Sequence, residues 1–181
     1  MSKSEAAWSV PVAVETIADT GLHMDIEAPA EARAHIAEIA GLRGLPRLSA
    51  AFDLAKQGAR VQVTGQVSAT VEQTCVVTLE PIENAIEEAV DLVFAPAPAG
   101  VAADADVGRR RKGRDEPPEA LIDGTIDLGA VATEFLMLAI DPYPRKAGAQ
   151  FAPPKFGNDA AHPFAALEAL KSNREAKKRE R

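Results

Sequence analysis

The stretch Arg60-Val-Gln-Val-Thr-Gly-Gln-Val-Ser-Ala-Thr-Val71 sets the frame for reading the rest of the chain. Val61, Val63, Val67, Ala69 and Val71 fall on one parity, and Gln62, Thr64, Gln66, Ser68 and Thr70 on the other. A period of two held over this length is that of a β-strand with one buried and one wet face. Gly65 takes an inward slot, which predicts a bulge or a bend at that point. Downstream come Thr74-Cys-Val-Val-Thr-Leu-Glu-Pro81 and then Asn84–Phe94, where Ile86, Val90, Leu92 and Phe94 share a face. The two alternating runs predict a long antiparallel hairpin with a broad corner around 74–82.

Upstream, Arg47–Leu54 places Leu48, Ala50, Phe52 and Leu54 on one side, and Gln57-Gly58 supplies the turn into the central strand. Gly21–Glu27 alternates with Leu22, Met24 and Ile26 inward and His23 on the polar face. Trp8–Val14 has apolar residues at 8, 10, 12 and 14, and Pro11, which lacks a donor, suits an edge strand. Two segments switch to helical spacing. Pro29–Ala40 starts on a proline, carries Glu31 in its first turn and stops at Gly41. Asp127–Ile140 is the most apolar; Asp127 is its predicted cap and Asp141-Pro142 its end. Leu128, Val131, Phe135 and Leu138 are expected to line its inner face, with Leu136 and Ala139 alongside. Ala120–Ile126 reads as a short strand turning at Asp123-Gly124, and His162–Lys171 as an amphipathic helix with Phe164, Leu167 and Leu170 on one side. The expected fold is α+β: a twisted antiparallel sheet or partial β-barrel of about six strands, with the 127–140 helix as core helix and short peripheral helices.

The Pro-rich, polar stretch 95–120 is predicted to be a disordered loop. A single α+β domain is expected over 1–172, interrupted by that loop, and a basic tail over 173–181. The core is thin: alanine accounts for 36 of the 181 residues, with only six Phe, one Trp and one Tyr. Phe52, Phe94, Phe135 and Leu138 are therefore expected to carry much of it. One cysteine, Cys75, excludes an internal disulfide and a Cys-rich zinc site, and the three histidines have no shared ligand spacing. No metal and no cofactor is expected. The N-terminus lacks the basic-then-apolar pattern of a signal peptide, and no apolar run approaches the ~18–20 residues that cross a bilayer. A cytoplasmic protein without membrane contact is expected; nothing in the residues sets an oligomeric state.

The formal charge of −7 hides a segregation. Residues 61–108 hold no Lys or Arg and eight acids, among them Glu72, Glu80, Glu83, Glu87, Glu88 and Asp91. Eleven of the 20 basic residues sit in two short runs. One is Arg109, Arg110, Arg111, Lys112 and Arg114; the other is Lys171, Arg174, Lys177, Lys178, Arg179 and Arg181. Such runs are either solvated ends or contacts to nucleic-acid phosphates, which confer affinity with little sequence readout. The acidic hairpin is complementary to a basic protein partner. Aromatic residues for base stacking are nearly absent beside the runs. Phosphate-binding loops, metal-ligand clusters and catalytic triads are absent as motifs, so an enzyme is not expected.

Three stretches taken in order resemble the YceD family, the large-subunit ribosomal RNA accumulation proteins of bacteria and plastids. Gly65–Thr74 leading into Cys75-Val-Val-Thr78-Leu79-Glu80-Pro81 resembles the family's strand running into Cys-x-x-Cys-Leu-x-Pro. Ile122-Asp-Gly-Thr-Ile-Asp127-Leu128, continuing through Glu134 to Leu138-Ala-Ile-Asp-Pro142, resembles its Ile-Asp-Leu segment and helix end. His162-Pro163-Phe164-Ala-Ala-Leu167 through Lys171 resembles its closing Asn-Pro-Phe-x-x-Leu-x-x-Leu-Lys. The resemblance covers roughly 60–172. It departs at Thr78, where the pattern often has a second cysteine, so a zinc knuckle does not carry over. Cys75 then reads as a small buried hydrophobe, with no cation near it in sequence to activate the thiol. The resemblance implies a role in synthesis, processing or stability of 23S ribosomal RNA. Its expected partners are 23S rRNA or its precursor, and a ribosomal protein or another assembly factor. An adaptor that binds a basic protein through the acidic sheet, without RNA contact, is the alternative.

Overall fold

A computed structural model of the chain describes residues 7–96 and 118–151. The chain divides into two compact units, 1–147 and 148–181, and all the elements below lie in the first. They run β1 (Pro11–Ala13), a single 3₁₀ turn, β2 (Leu22–Glu27), α1 (Ala30–Ala40), β3 (Gly44–Gln57), β4 (Arg60–Thr74), β5 (Pro81–Pro96), β6 (Glu119–Leu121), β7 (Thr125–Asp127) and α2 (Leu128–Ala139). The expected α+β class holds. Five strands form one sheet in the order β2-β3-β4-β5-β6, and β1 and β7 form a second, two-stranded sheet. The large sheet is mixed, because β6 runs parallel to β5. It is open, with β2 and β6 at opposite ends, so the barrel alternative does not hold.

The central strand is as its alternation demands. Val61, Val63, Val67, Ala69 and Val71 are all buried, and the residues between them are not. β3 meets it with Leu48, Phe52 and Leu54, each at most 1% exposed. Gly65 makes no bulge. The β3–β4 register is continuous through the Phe52–Gly65 pair. A side chain there would collide with the Ala51 carbonyl oxygen and come within 2.8 Å of Phe52 Cδ1, so the glycine opens room for the Phe52 ring. The ladder shifts register elsewhere, between Gly44 and Arg47.

Ile36 of α1 and Leu128, Ala132 and Leu136 of α2 close the inner face, each fully buried. Pro29 caps α1 in an extended conformation, and Gly41 ends it at φ +65°, where a β-carbon would be strained. Leu138, expected inside, is 77% exposed. The buried residues of α2 are 128, 129, 131, 132 and 136; Leu138 lies two turns after Val131 on nearly the same side, but in the last turn, past the last buried position. Phe94 and Phe135 flank the core half-buried, while Phe52 is its largest fully buried side chain.

The first predicted strand is shorter than its pattern. β1 pairs only with three-residue β7, and Val14 enters the 3₁₀ turn; Trp8 and Val12 are still buried. Both ends of the predicted loop 95–120 are paired strand: Ala95 opposes Ala120, and Pro96 opposes Leu121.

Candidate functional site

Two features gather the chemistry: the tip of the β4–β5 hairpin and the open face of the large sheet. At the tip, the Cys75 amide donates to the Glu80 carbonyl, and the Leu79 amide to the Cys75 carbonyl, at 2.9 Å each. Leu79 sits at φ +60°, a conformation bulky residues rarely hold. The chain after α2 is fastened to this turn. Val76 N–H donates to the Pro144 carbonyl at 2.9 Å. The buried Gln73 donates to the Asp141 carbonyl at 2.9 Å, and its Oε1 accepts from Asn84 Nδ2 at 3.1 Å.

Cys75 is buried, as its reading as a small hydrophobe requires, but its sulfur is also an acceptor. The Lys146 amide donates to Sγ at 3.3 Å and the Thr78 amide at 3.4 Å. These donors, led by Lys146 and followed by Thr78, stabilise the thiolate and bring the thiol down to about 6. Lys146 also pairs with Glu80, Nζ to Oε2 at 2.8 Å, with both side chains about half exposed. That hydrogen bond holds the Glu80 carboxyl below its ordinary range and raises the Lys146 ammonium. The group that acts on the sulfur is thus the main-chain amide of residue 146, brought there through the fold, while the Lys146 ammonium pairs with Glu80. The sulfur itself has no exposed surface, so the arrangement fastens a turn and does not present a nucleophile. Val76, Leu79 and Tyr143 are exposed on these same segments.

The open face carries the outward residues of four strands. Register aligns His23, Asp53, Thr64 and Asp91 in one row across β2 to β5, and Glu27, Ser49, Ser68 and Glu87 in another. Glu72 stands directly opposite Glu83. Asp25 joins the same face from β2. Among the expected partner-binding acids, Glu83, Glu87 and Asp91 are exposed on this face and Glu72 is half-buried on it. Glu88 is exposed but opposes the inward Val67, so it belongs to the other side of β5 rather than the outward face. Glu80 stands at the tip, paired to Lys146. Asp25, Glu27 and Asp53 were not expected in this cluster; only pairing of β2 and β3 beside β4 adds them. His23 Nδ1 lies 2.7 Å from Asp53 and Nε2 3.5 Å from Asp25. Its pKa is raised, mainly by the Asp53 hydrogen bond.

Asp127 caps α2 as expected, accepting from Gly129 and Ala130 amides at 3.1 Å. It also accepts from the Val10 amide at 2.8 Å and the Ser9 hydroxyl at 2.6 Å. Leu128 is fully buried; Glu134, Leu79 and Pro81 are exposed. Both basic runs, Arg109–Arg114 and Lys171–Arg181, lie outside the described residues, as do Pro163, Phe164 and the expected 162–171 helix. Among the described residues, no three His, Cys, Asp or Glu side chains group as a metal site needs, and no helix is long and apolar enough to cross a membrane.

Residues 63–171 match the family model described as large ribosomal RNA subunit accumulation protein YceD. No curated protein and no solved structure matches the chain. The matched span takes in more than half of the 181 residues. It runs from within β4 through the Cys75 turn, the Asp127 cap and α2. The chain therefore belongs to the YceD family of large ribosomal RNA subunit accumulation proteins.

Proposed function

We propose that the protein is a non-enzymatic ribosome-biogenesis factor of the cytoplasm that supports synthesis, processing or stability of 23S ribosomal RNA during large-subunit assembly. The family match over residues 63–171 carries this reading, and the charge segregation supplies its physical form. The runs Arg109–Arg114 and Lys171–Arg181 contact RNA phosphates, and the acidic open face engages a basic ribosomal protein or assembly factor. Among the described residues, the His23 ring has only carboxylates as polar partners. That setting supports a binding rather than a catalytic role for the face.

Binding to 23S rRNA fragments across a salt series tests the RNA contact. Replacing the basic residues of both runs with glutamine is expected to lower affinity. Each lost phosphate contact should flatten the log–log salt slope by about 0.7–0.9. An unchanged affinity and slope would dismiss it. The extent of the open acidic face favours a second reading, an adaptor that binds a basic protein without touching RNA. Partners retained after RNase treatment of a lysate, together with a flat salt slope, would select it.

A further inference from the structure

We infer that the edge of β5 left unpaired by the described residues, from Ile82 to Val93, is a strand-addition site for an extended, lysine- and arginine-rich segment of a partner protein. On one side β5 pairs with β4 along Pro81–Phe94. On the other, β6 covers only Phe94–Pro96. Among the described residues, no hydrogen bond reaches the main chain of 82–93 from that second side. At about 3.3 Å per residue this leaves roughly 40 Å of backbone donors and acceptors without partners among the described residues.

Long edges of this kind are normally shortened, bulged, interrupted by proline or covered. This one has prolines only at its two ends, Pro81 and Pro96, and the β4–β5 register has no shift along it. What it has is charge. Glu83, Glu87 and Asp91 occupy every second outward slot, with Ala85 and Ala89 between them, and Glu88 projects from the other side. A second copy of the strand would set carboxylate against carboxylate, which is unfavourable for directly opposed like charges. This face suits an added strand whose alternate residues are Lys or Arg, every second one of them opposite an acid. The Cβ atoms of those opposite Glu83, Glu87 and Asp91 would lie ~4.5–5.5 Å from the Cβ atoms of the acids, as cross-strand neighbours do. Apolar residues at the intervening positions would cover the half-buried Ile86 and Leu92. Main-chain hydrogen bonds supply affinity and the alternating charges select the partner.

This site rests on the protein-binding part of the proposed function and is independent of the RNA contact. It is tested on the full chain by amide hydrogen exchange of β5. The probe is a ten-residue peptide alternating Lys with Val or Thr. Two controls are the same peptide N-methylated at alternate residues, and a version with Glu for Lys. The Lys peptide is expected to slow exchange of the 82–93 amides that face away from β4 by at least about tenfold at saturation, and neither control should. In a protein carrying Glu83→Lys, Glu87→Lys and Asp91→Lys, all at exposed positions, the preference should reverse to the Glu peptide. Equal protection by the N-methylated peptide would show charge-only binding and overturn strand addition. So would an absence of protection with every peptide. Protection of the free protein that grows with its concentration would assign the edge to a second copy. Protection lost on removing 171–181 would assign it to the chain's own tail. The salt slope of rRNA binding is read separately, so failure of either idea leaves the other measurable.

Discussion

Cys75 is where residue identity and tertiary setting interact most closely. A thiol in an apolar hairpin would stay protonated at neutral pH, since burial opposes the charged form. Here amide donors from Lys146 and Thr78 outweigh burial and bring it to about 6. The folded chain therefore releases this proton more readily than the unfolded chain, whose thiol keeps its ordinary value near 9. The unfolded state binds more protons between those limits, so the contribution to stability grows as pH rises through them. It is complete above about 9 and lost as pH falls through about 6. Urea midpoints of the native protein and of Cys75→Ala, compared from pH 5.5 to 9, are expected to diverge as pH rises. A gap that stays constant would show that the sulfur acts by packing alone. The burial of Cys75 follows from its sequence and its donors do not: Lys146 lies 71 positions away in a stretch that reads only as a connector, and Thr78 meets the sulfur only through the shape of the turn.

At the scale of elements, the strands were legible where side chains alternate cleanly. β4 needs no partner to show which of its faces is wet, and the outward acids of β5 follow from the same parity. α2 was legible as a helix and less so in its orientation. Its sequence is so apolar that two stripes, one through Leu138 and one through Leu136, compete on hydrophobicity. The docking of the helix selects Leu136, which is fully buried, and leaves Leu138 exposed. Leu136→Ala is expected to cost about 2–5 kcal/mol in unfolding free energy, and Leu138→Ala less than about 0.5 kcal/mol. Thermal or denaturant unfolding of the two variants checks this, and equal costs would contradict the observed docking. Gly65 shows the converse difficulty. Its need for space was visible in the inward slot, but the reason, an aromatic ring lying against it from β3, depends on a register that one strand does not contain.

At the scale of the molecule, the described residues form two sheets and two helices fastened at a few polar points. Asp127 is the most connected of them, capping α2 while accepting from Ser9 and Val10 in the N-terminal segment. The cap alone is worth about 1 kcal/mol, and each further hydrogen bond adds ~0.5–1.5 kcal/mol. Asp127→Ala is thus expected to destabilise the protein by about 2–4 kcal/mol and to increase exchange of the Val10 amide. A loss of only ~1 kcal/mol, with Val10 still protected, would show that the N-terminal segment is held by apolar contacts such as those of Trp8 instead.

The sequence by itself determined the α+β class, the wet and dry faces of the central strands, the stop of α1 at Gly41, the Asp127 cap of α2 and the segregation of charge. Each of these follows from local periodicity or from residues adjacent in the chain. Tertiary structure alone decided the mixed, open sheet, the delivery of the Lys146 amide to Cys75, the recruitment of Asp25, Glu27 and Asp53 to the acidic face, and the length of β5 left unpaired by the described residues. Three of these depend on which strands become neighbours and in what register, and the Lys146 contact on how the segment after α2 lies against the β4–β5 turn. That choice is made by burial summed over the whole core, so no single segment carries it.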